Sequence, residues 1–170
     1  SSVFLASSLI GMSILDAFHG CVLPGREFVW FRSAATFVGG ICLGLVWLPR
    51  PAIRSKWVER LPLGVLFGSI ALALLILLGP QSIDRPADLR RYAWVENLII
   101  LIGGVAFLIG SLRIALDYSR SGVFDEFVYV TFATLFGIAG ILFPISTIWQ
   151  ADWWWWHIVR LLGFTIVFTY

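Results

Sequence analysis

The sequence predicts an all-α protein, a polytopic bundle of transmembrane helices. Of its 170 residues, 59% are hydrophobic and 13% are charged, whereas a soluble domain carries about 25% charged residues. The charges are also clustered. Asp, Glu, Lys and Arg are missing from the stretches 1–15, 33–49, 61–83, 97–112, 127–151 and 161–170. Such stretches are typical of helices in lipid, because a β-barrel shows alternation over strands of about ten residues instead.

Six helices fit the apolar stretches, because about 20 residues are needed to cross a membrane. We place them near residues 3–23, 28–48, 62–80, 92–112, 127–148 and 154–170. Polar and turn-forming loops separate them at 24–27, 49–60, 80–91, 113–126 and 149–156. Pro144 is expected to kink the fifth helix one turn before its end. The whole chain, 1–170, is predicted to be one transmembrane domain.

The distribution of Lys and Arg between alternate loops predicts the orientation. One side carries Arg50, Arg54, Lys56, Arg60, Arg113 and Arg120, and the other carries Arg26, Arg85, Arg90 and Arg91. This weak bias places both termini in the cytoplasm. The residues Trp153–Trp156 would then lie at the outer interface as an anchor, or alternatively would stack on a ligand.

Glycines at helical spacing predict where the helices approach each other closely. The pairs are Gly40 and Gly44, Gly64 and Gly68, and Gly137 and Gly140.

Ionisable residues from four predicted helices collect in the outer third of the membrane. In SILDAFHGCVL (13–23), Asp16 and His19 are three residues apart and share one helix face. They lie about 10 Å and about 6 Å below the outer end of the first helix, and Arg32 lies about 6 Å deep on the second. The fourth and sixth helices add further polar residues at similar depth: Glu96, Asn97, His157 and Arg160. Ionisable groups are expensive in hydrocarbon, so this layer is the candidate site.

Three interpretations of this layer are open. Buried ion pairs, Asp16 with Arg160 or Glu96 with Arg32, would fix the register of the helices. A ligand or proton site would use the titration of histidine near neutral pH and the arginine fork that clamps carboxylate or phosphate. A cofactor site would use Asp16, His19 and His157 to hold a transition metal, or the two histidines to ligate a haem from both sides.

Motifs of soluble enzyme chemistry are missing from the sequence. It contains no Walker loop, no GxSxG and no HExxH, and its two cysteines form no metal-binding cluster. We therefore predict no catalytic residue and no enzyme activity in this chain, with an intramembrane zinc hydrolase built on Asp16, His19 and His157 as a weak alternative. The basic residues are scattered over loop ends, so nucleic acid is not a predicted partner.

Two stretches carry a family resemblance. In 11–40, LDAFH (15–19) ends one predicted helix and WFR (30–32) lies in the next. In 152–170, a tryptophan-rich entry precedes HIVRL (157–161). The LDxxH, WxR and HxxRL elements are similar to those of MASE-type membrane-associated sensor domains, which precede bacterial histidine kinases and diguanylate cyclases. Between 41 and 151 the similarity is limited to hydropathy and helix count.

The resemblance implies a sensory input domain that is followed in the cytoplasm by PAS, kinase or cyclase modules. We expect this domain to detect a small or amphipathic ligand, or the state of a redox cofactor, through the outer polar layer. The sixth helix would pass the change to the cytoplasm at Tyr170. We expect the protein to form a homodimer or to be a subunit of a larger membrane assembly. The alternative is an accessory or haem-binding subunit of an electron-transfer or pigment complex.

Overall fold

The computed structural model of the chain describes residues 2–53, 55–79, 94–147 and 150–169. Seven α-helices occur in these ranges: α1 Ser2–Cys21, α2 Arg26–Gly44, α3 Arg50–Ile53, α4 Lys56–Leu78, α5 Trp94–Ser121, α6 Phe124–Leu142 and α7 Ala151–Thr169. Short 3₁₀ turns at Leu45–Trp47 and Phe143–Ile145 continue α2 and α6. The predicted all-α class is confirmed. The six predicted helices correspond to the six long ones, and the four-residue α3 is additional.

Five of the helices are long and apolar enough to cross a membrane, namely α1, α2 with its 3₁₀ turn, α4, α5 and α6 with its 3₁₀ turn. The chain is a multi-pass membrane protein. The last helix, α7, contains four tryptophans, a histidine, Asp152 and Arg160, which lower its hydropathy. That α7 also spans the membrane stays a prediction.

The predicted loop at 113–126 is wrong, because α5 continues to Ser121. Arg113 and Asp117 lie one turn apart on α5 and form an ion pair at 3.3 Å, which supports the helix at the point where the sequence becomes polar. The turn is reduced to Gly122, with φ of 64°, and Val123. With 28 residues α5 is about 42 Å long. The polar residues from Arg113 onward therefore belong to the helix and do not mark its end.

Pro144 ends a helix instead of kinking it. The α6 helix stops at Leu142, and Pro144 lies in the 3₁₀ turn that follows. Its ring nitrogen has no hydrogen to donate, and the ring clashes with the preceding helical turn. The α4 helix begins at Lys56, within the predicted loop 49–60. The predicted loop 80–91 lies outside the described residues, as do Arg54 and Tyr170.

The bundle is built around α2. This helix packs between α1 and α5, while α6 packs on α5, α7 packs on α6, and α4 packs on the outer side of α1. Burial follows this order, since 61% of the α2 span is buried against 11% of the α4 span. Large apolar side chains of α4 are therefore exposed on the surface of the bundle: Leu63, Phe67, Leu74, Leu75 and Leu78.

Glycines set the close crossing of α2, α5 and α6. A Cβ atom on Gly103 of α5 would lie 2.6 Å from the carbonyl oxygen of Thr36. A Cβ atom on Gly140 of α6 would lie 2.8 Å from the Cα of Gly104. Side chains at these positions would force the backbones apart.

The predicted packing role is thus confirmed for Gly40, Gly137 and Gly140, each of which faces backbone of a neighbouring helix. At Gly44 the helices do not approach as closely, since a Cβ atom there would lie 3.9 Å from the carbonyl oxygen of Ala106. The predicted role is wrong for Gly64 and Gly68. A Cβ atom at either position would meet no described atom within 4 Å, because α4 lies at the edge of the bundle.

Candidate functional site

The carboxylate of Asp16 lies between two guanidinium groups that come from two other helices. Arg32 of α2 donates from Nη1 to Oδ1 of Asp16 at 3.4 Å, and Arg160 of α7 donates from Nη2 to Oδ2. Both arginines are buried, whereas Asp16 is partly exposed. We call these three residues the Asp16 cluster. It joins α1, α2 and α7 at the end of the bundle where α1 meets α2.

The Asp16 cluster contains one of the predicted ion pairs. Asp16 pairs with Arg160, as predicted for a buried network, and it also takes Arg32. Glu96 of α5 is buried, but within the described part of the chain it forms no ion pair with Arg32, and its Oε2 has no hydrogen-bond partner. The Oδ1 of the adjacent Asn97 has none there either. Arg32 reaches α1 instead of α5.

Aromatic rings line the flat faces of both arginines. The Cζ of Arg32 lies 4.4 Å from the ring centroid of Trp156. The Cζ of Arg160 lies 4.9 Å from the ring of Phe136 and 5.6 Å from that of Phe164. A guanidinium is weakly hydrated and attracted to the ring quadrupole, so these contacts replace part of the water that burial removes.

The four consecutive tryptophans divide between core and surface. Trp153 and Trp156 are buried with Ile100 and Phe143, whereas Trp154 and Trp155 are 50% and 62% exposed. The interfacial anchor predicted for all four is therefore wrong for the two buried residues, and it stays a prediction for Trp154 and Trp155. Successive residues of a helix point in different directions, so four in a row cannot share one environment, while residues three apart share a face.

Both histidines are held in a defined orientation. The Nδ1–H of His19 donates to the carbonyl of Phe28 at 2.8 Å, and that of His157 donates to the carbonyl of Trp153 at 2.9 Å. A carbonyl oxygen only accepts, so Nδ1 carries the proton and the lone pair of a neutral ring lies on Nε2. The ring centroid of His19 lies 3.8 Å from that of Phe28 in a tilted arrangement, and the ring of His157 stacks on that of Trp156 with 3.6 Å between the centroids.

A metal triad is not assembled in this structure. Among the described residues no three His, Cys, Asp or Glu side chains lie close enough together to hold a metal ion. The predicted triad of Asp16, His19 and His157 gains no support, because the carboxylate of Asp16 is engaged by two guanidiniums. A haem held between the two histidines stays a prediction.

Sequence reasoning missed the residues that support the arginines. The tryptophan row predicts an interfacial position for Trp156, and nothing in the sequence singles out Phe136. The spacing could have identified Trp156, because Trp156 and Arg160 are four residues apart and lie on the same face of α7. Arg160 belongs to the predicted polar layer that also contains Arg32. Phe136 carries no comparable signal, since its apolar helix is rich in aromatic residues.

Comparison of the chain with protein-family models, curated proteins and solved structures finds no match.

The geometry gives the site three properties. It links the first, second and last helices of the chain, it places two guanidiniums around one carboxylate, and it fixes two imidazoles with Nε2 as the nitrogen with a lone pair.

Proposed function

We propose that this chain is the membrane-embedded sensory input domain of a bacterial signal-transduction protein. The observation that carries the proposal is the ion pair between Asp16 of α1 and Arg160 of α7. It places a polar link to the last helix within the end of the bundle that contains the candidate site. A change at this link acts directly on the position of α7.

The mechanism is a shift between two arrangements of α7. This helix packs along α6 and is joined to α1 and α2 through Arg160 and Trp156, which contact Asp16 and Arg32. A ligand that binds the two arrangements unequally changes their populations, and a ligand that binds them equally transmits nothing. The end of α7 at Thr169 then carries the movement away from the site.

The MASE resemblance supports this assignment. Its three elements lie at 15–19, 30–32 and 157–161, and each supplies one member of the Asp16 cluster. Residues from the two ends of the sequence thus meet in one site. By analogy with that family we place the protein in the inner membrane, with the Asp16 cluster toward the outside and both termini in the cytoplasm. We also place it in a homodimer or larger assembly that feeds a kinase or cyclase module.

The test is the output activity of the full-length protein in its native membrane. Asp16→Asn weakens the link to both arginines, and we expect it to change autophosphorylation or nucleotide cyclisation about fivefold or more. Asp117→Asn is the matched control, since it breaks an ion pair that is half-exposed and remote from the site. An output that Asp16→Asn leaves at the wild-type value contradicts the sensory function.

A second candidate function, a haem-binding redox subunit, is favoured by the histidine geometry. Histidines that ligate a metal usually donate their other N–H to a carbonyl or carboxylate, and the Nδ1–H groups of His19 and His157 both do so. The check is the absorbance spectrum of the purified protein, with metal analysis. A Soret band that His19→Ala and His157→Ala both abolish supports this function, and a spectrum without the band rejects it.

A further inference from the structure

One edge of the Arg32 guanidinium is buried without a partner. Nη1 is used on Asp16, but Nε and Nη2 make no hydrogen bond to any described residue, and both atoms are inaccessible. The hydrogens on Nε and on the neighbouring side of Nη2 point in the same direction. That edge binds the two oxygens of a carboxylate or phosphate side by side.

The charges of the Asp16 cluster are unbalanced. One carboxylate faces two guanidiniums, which leaves an excess positive charge among apolar side chains. A buried charge is costly unless it is paired and hydrogen-bonded. Glu96 is a buried acid predicted at a depth similar to that of the Asp16 cluster, yet it makes no ion pair within the described residues.

A second donor without a partner lies beside Arg32. Trp156 is 1% exposed, its ring lies 4.4 Å from the Cζ of Arg32, and its Nε1 has no hydrogen-bond partner in the described part of the chain. Buried polar groups are nearly always paired, and an indole N–H can only donate. The unpartnered groups of Arg32 and Trp156 are donors, and an acceptor with negative charge satisfies both of them. The unpartnered acceptors Glu96 Oε2 and Asn97 Oδ1 lie on α5, where no described contact joins them to Arg32.

We propose that the oxyanion head of an amphiphile, a carboxylate or a phosphate, binds to the Nε–Nη2 edge of Arg32. Asp16, which engages Nη1 of the same guanidinium, has 22% of its side chain exposed, so the cluster is open to the surroundings on that side. Because Nε and Nη2 are inaccessible, the head must displace neighbouring side chains to reach this edge. The aromatic surroundings favour a ligand with an apolar tail over a strongly hydrated ion. A free fatty acid and an anionic phospholipid share this chemistry. The inference rests on the proposed function, since it names the ligand class of the sensory site.

The test compares octanoate with octanol, which has the same tail and no charge, by calorimetric titration of the detergent-purified full-length protein. Arg32→Lys keeps a cation for Asp16 but lacks the two-nitrogen edge. We expect octanoate to bind the wild type at least about tenfold more tightly than it binds Arg32→Lys. Octanol should bind both proteins equally weakly. Arg113→Lys, remote from the site, should behave as the wild type.

A second arm identifies the source of the anion. Native mass spectrometry of protein released from phosphatidylglycerol vesicles reports whether a phospholipid stays bound. A phospholipid retained by the wild type and lost in Arg32→Lys, together with weak octanoate binding, assigns the site to a phosphate head. Octanoate binding without a retained phospholipid assigns it to a carboxylate.

Equal octanoate affinity and equal phospholipid retention in the wild type and Arg32→Lys overturn the proposal, as does failure of the wild type to bind either probe. If Arg32→Lys yields no folded protein, Trp156→Phe replaces it, because it keeps the ring and removes Nε1–H. A loss of binding affinity of about threefold or more then supports the site, and unchanged binding overturns it.

The two proposals can fail separately. Anion binding without an effect of Asp16→Asn on output supports the anion site and rejects the sensory function. The reverse result rejects the anion site alone.

Discussion

Asp16 and Arg160 are 144 residues apart in the sequence, and their side chains form a hydrogen-bonded ion pair that joins α1 to α7. The ion pair between Asp16 and Arg32 belongs to the same cluster. The other described contacts between neighbouring helices are apolar packing, glycine contacts and uncharged hydrogen bonds such as that between Ser111 of α5 and Thr134 of α6. An ion pair differs from these contacts because its strength depends on charge, and charge can be changed by a ligand or a proton. The pair is therefore a structural link, and under the proposed function it is the point at which a ligand would act on α7.

Replacement of the central carboxylate should destabilise the fold strongly. Asp16→Asn leaves two buried guanidiniums without a counter-charge, and we expect the free energy of unfolding to fall by about 3 kcal/mol. Denaturant titration in detergent, followed by tryptophan fluorescence, measures the loss.

Asp117→Asn is the matched control for that substitution. Its partner Arg113 and Asp117 itself are 35% and 34% exposed, so water screens the pair and its removal should cost under about 1 kcal/mol. Similar losses for both substitutions would show that the Asp16 cluster is no more tightly coupled to folding than a surface ion pair.

The glycine contacts predict a sharp contrast between helices. Gly103→Ala would bring a methyl group within 2.7 Å of the Phe37 backbone, so α2 and α5 must separate, with an expected loss of about 2 kcal/mol or more. Gly64→Ala on α4 meets open space and removes a flexible residue from a helix, so it should stabilise by about 0.5 kcal/mol. Thermal unfolding of the two variants measures both effects. Tolerance of alanine at position 103 would contradict the close crossing.

The tryptophan row offers a second matched pair. Trp156→Ala removes a fully buried ring and the platform under Arg32, and should cost about 3 kcal/mol or more of unfolding free energy. Trp155→Ala, at a position 62% exposed, should cost under about 1 kcal/mol. If the order were reversed, with Trp155 the more sensitive position, the core location of Trp156 would be wrong.

Glu96 should tolerate loss of its charge. Its Oε2 is buried without a described partner, so Glu96→Gln removes a buried carboxylate and breaks no described ion pair. We expect an unchanged or slightly higher unfolding free energy, by up to about 1 kcal/mol, in the same denaturant titration. A loss above about 2 kcal/mol would instead show that Glu96 is paired outside the described residues.

The number and class of the long helices follow from the lengths of the apolar stretches, because each stretch must satisfy its backbone internally in lipid. Their ends do not follow in the same way. Residues 113–121 are more polar than the rest of α5 and yet remain helical, so the change in hydropathy does not coincide with the end of α5 at Ser121.

The sequence predicts the depth of the site residues along their helices, but not the direction in which each side chain points. Counting residues from helix ends brought Asp16, Arg32 and Arg160 to one layer, and the structure joins them there. Whether Arg32 pairs with Asp16 or with Glu96 depends on the rotation of α2 about its axis, and a single sequence does not determine that rotation. For the same reason the inward position of Trp156 and the outward position of Gly64 emerge from the packing of the helices.

The most direct measurement is the distance between the ends of α1 and α7 that lie away from the Asp16 cluster. Spin labels on cysteines introduced at Ser2 and Thr169, both exposed, report this distance by pulsed electron paramagnetic resonance after Cys21 and Cys42 are replaced. If the Asp16–Arg160 pair holds α7 in place, Asp16→Asn shifts the mean distance by about 2 Å or more or broadens its distribution, and Asp117→Asn leaves both unchanged. An identical distribution in Asp16→Asn and the wild type would contradict the account.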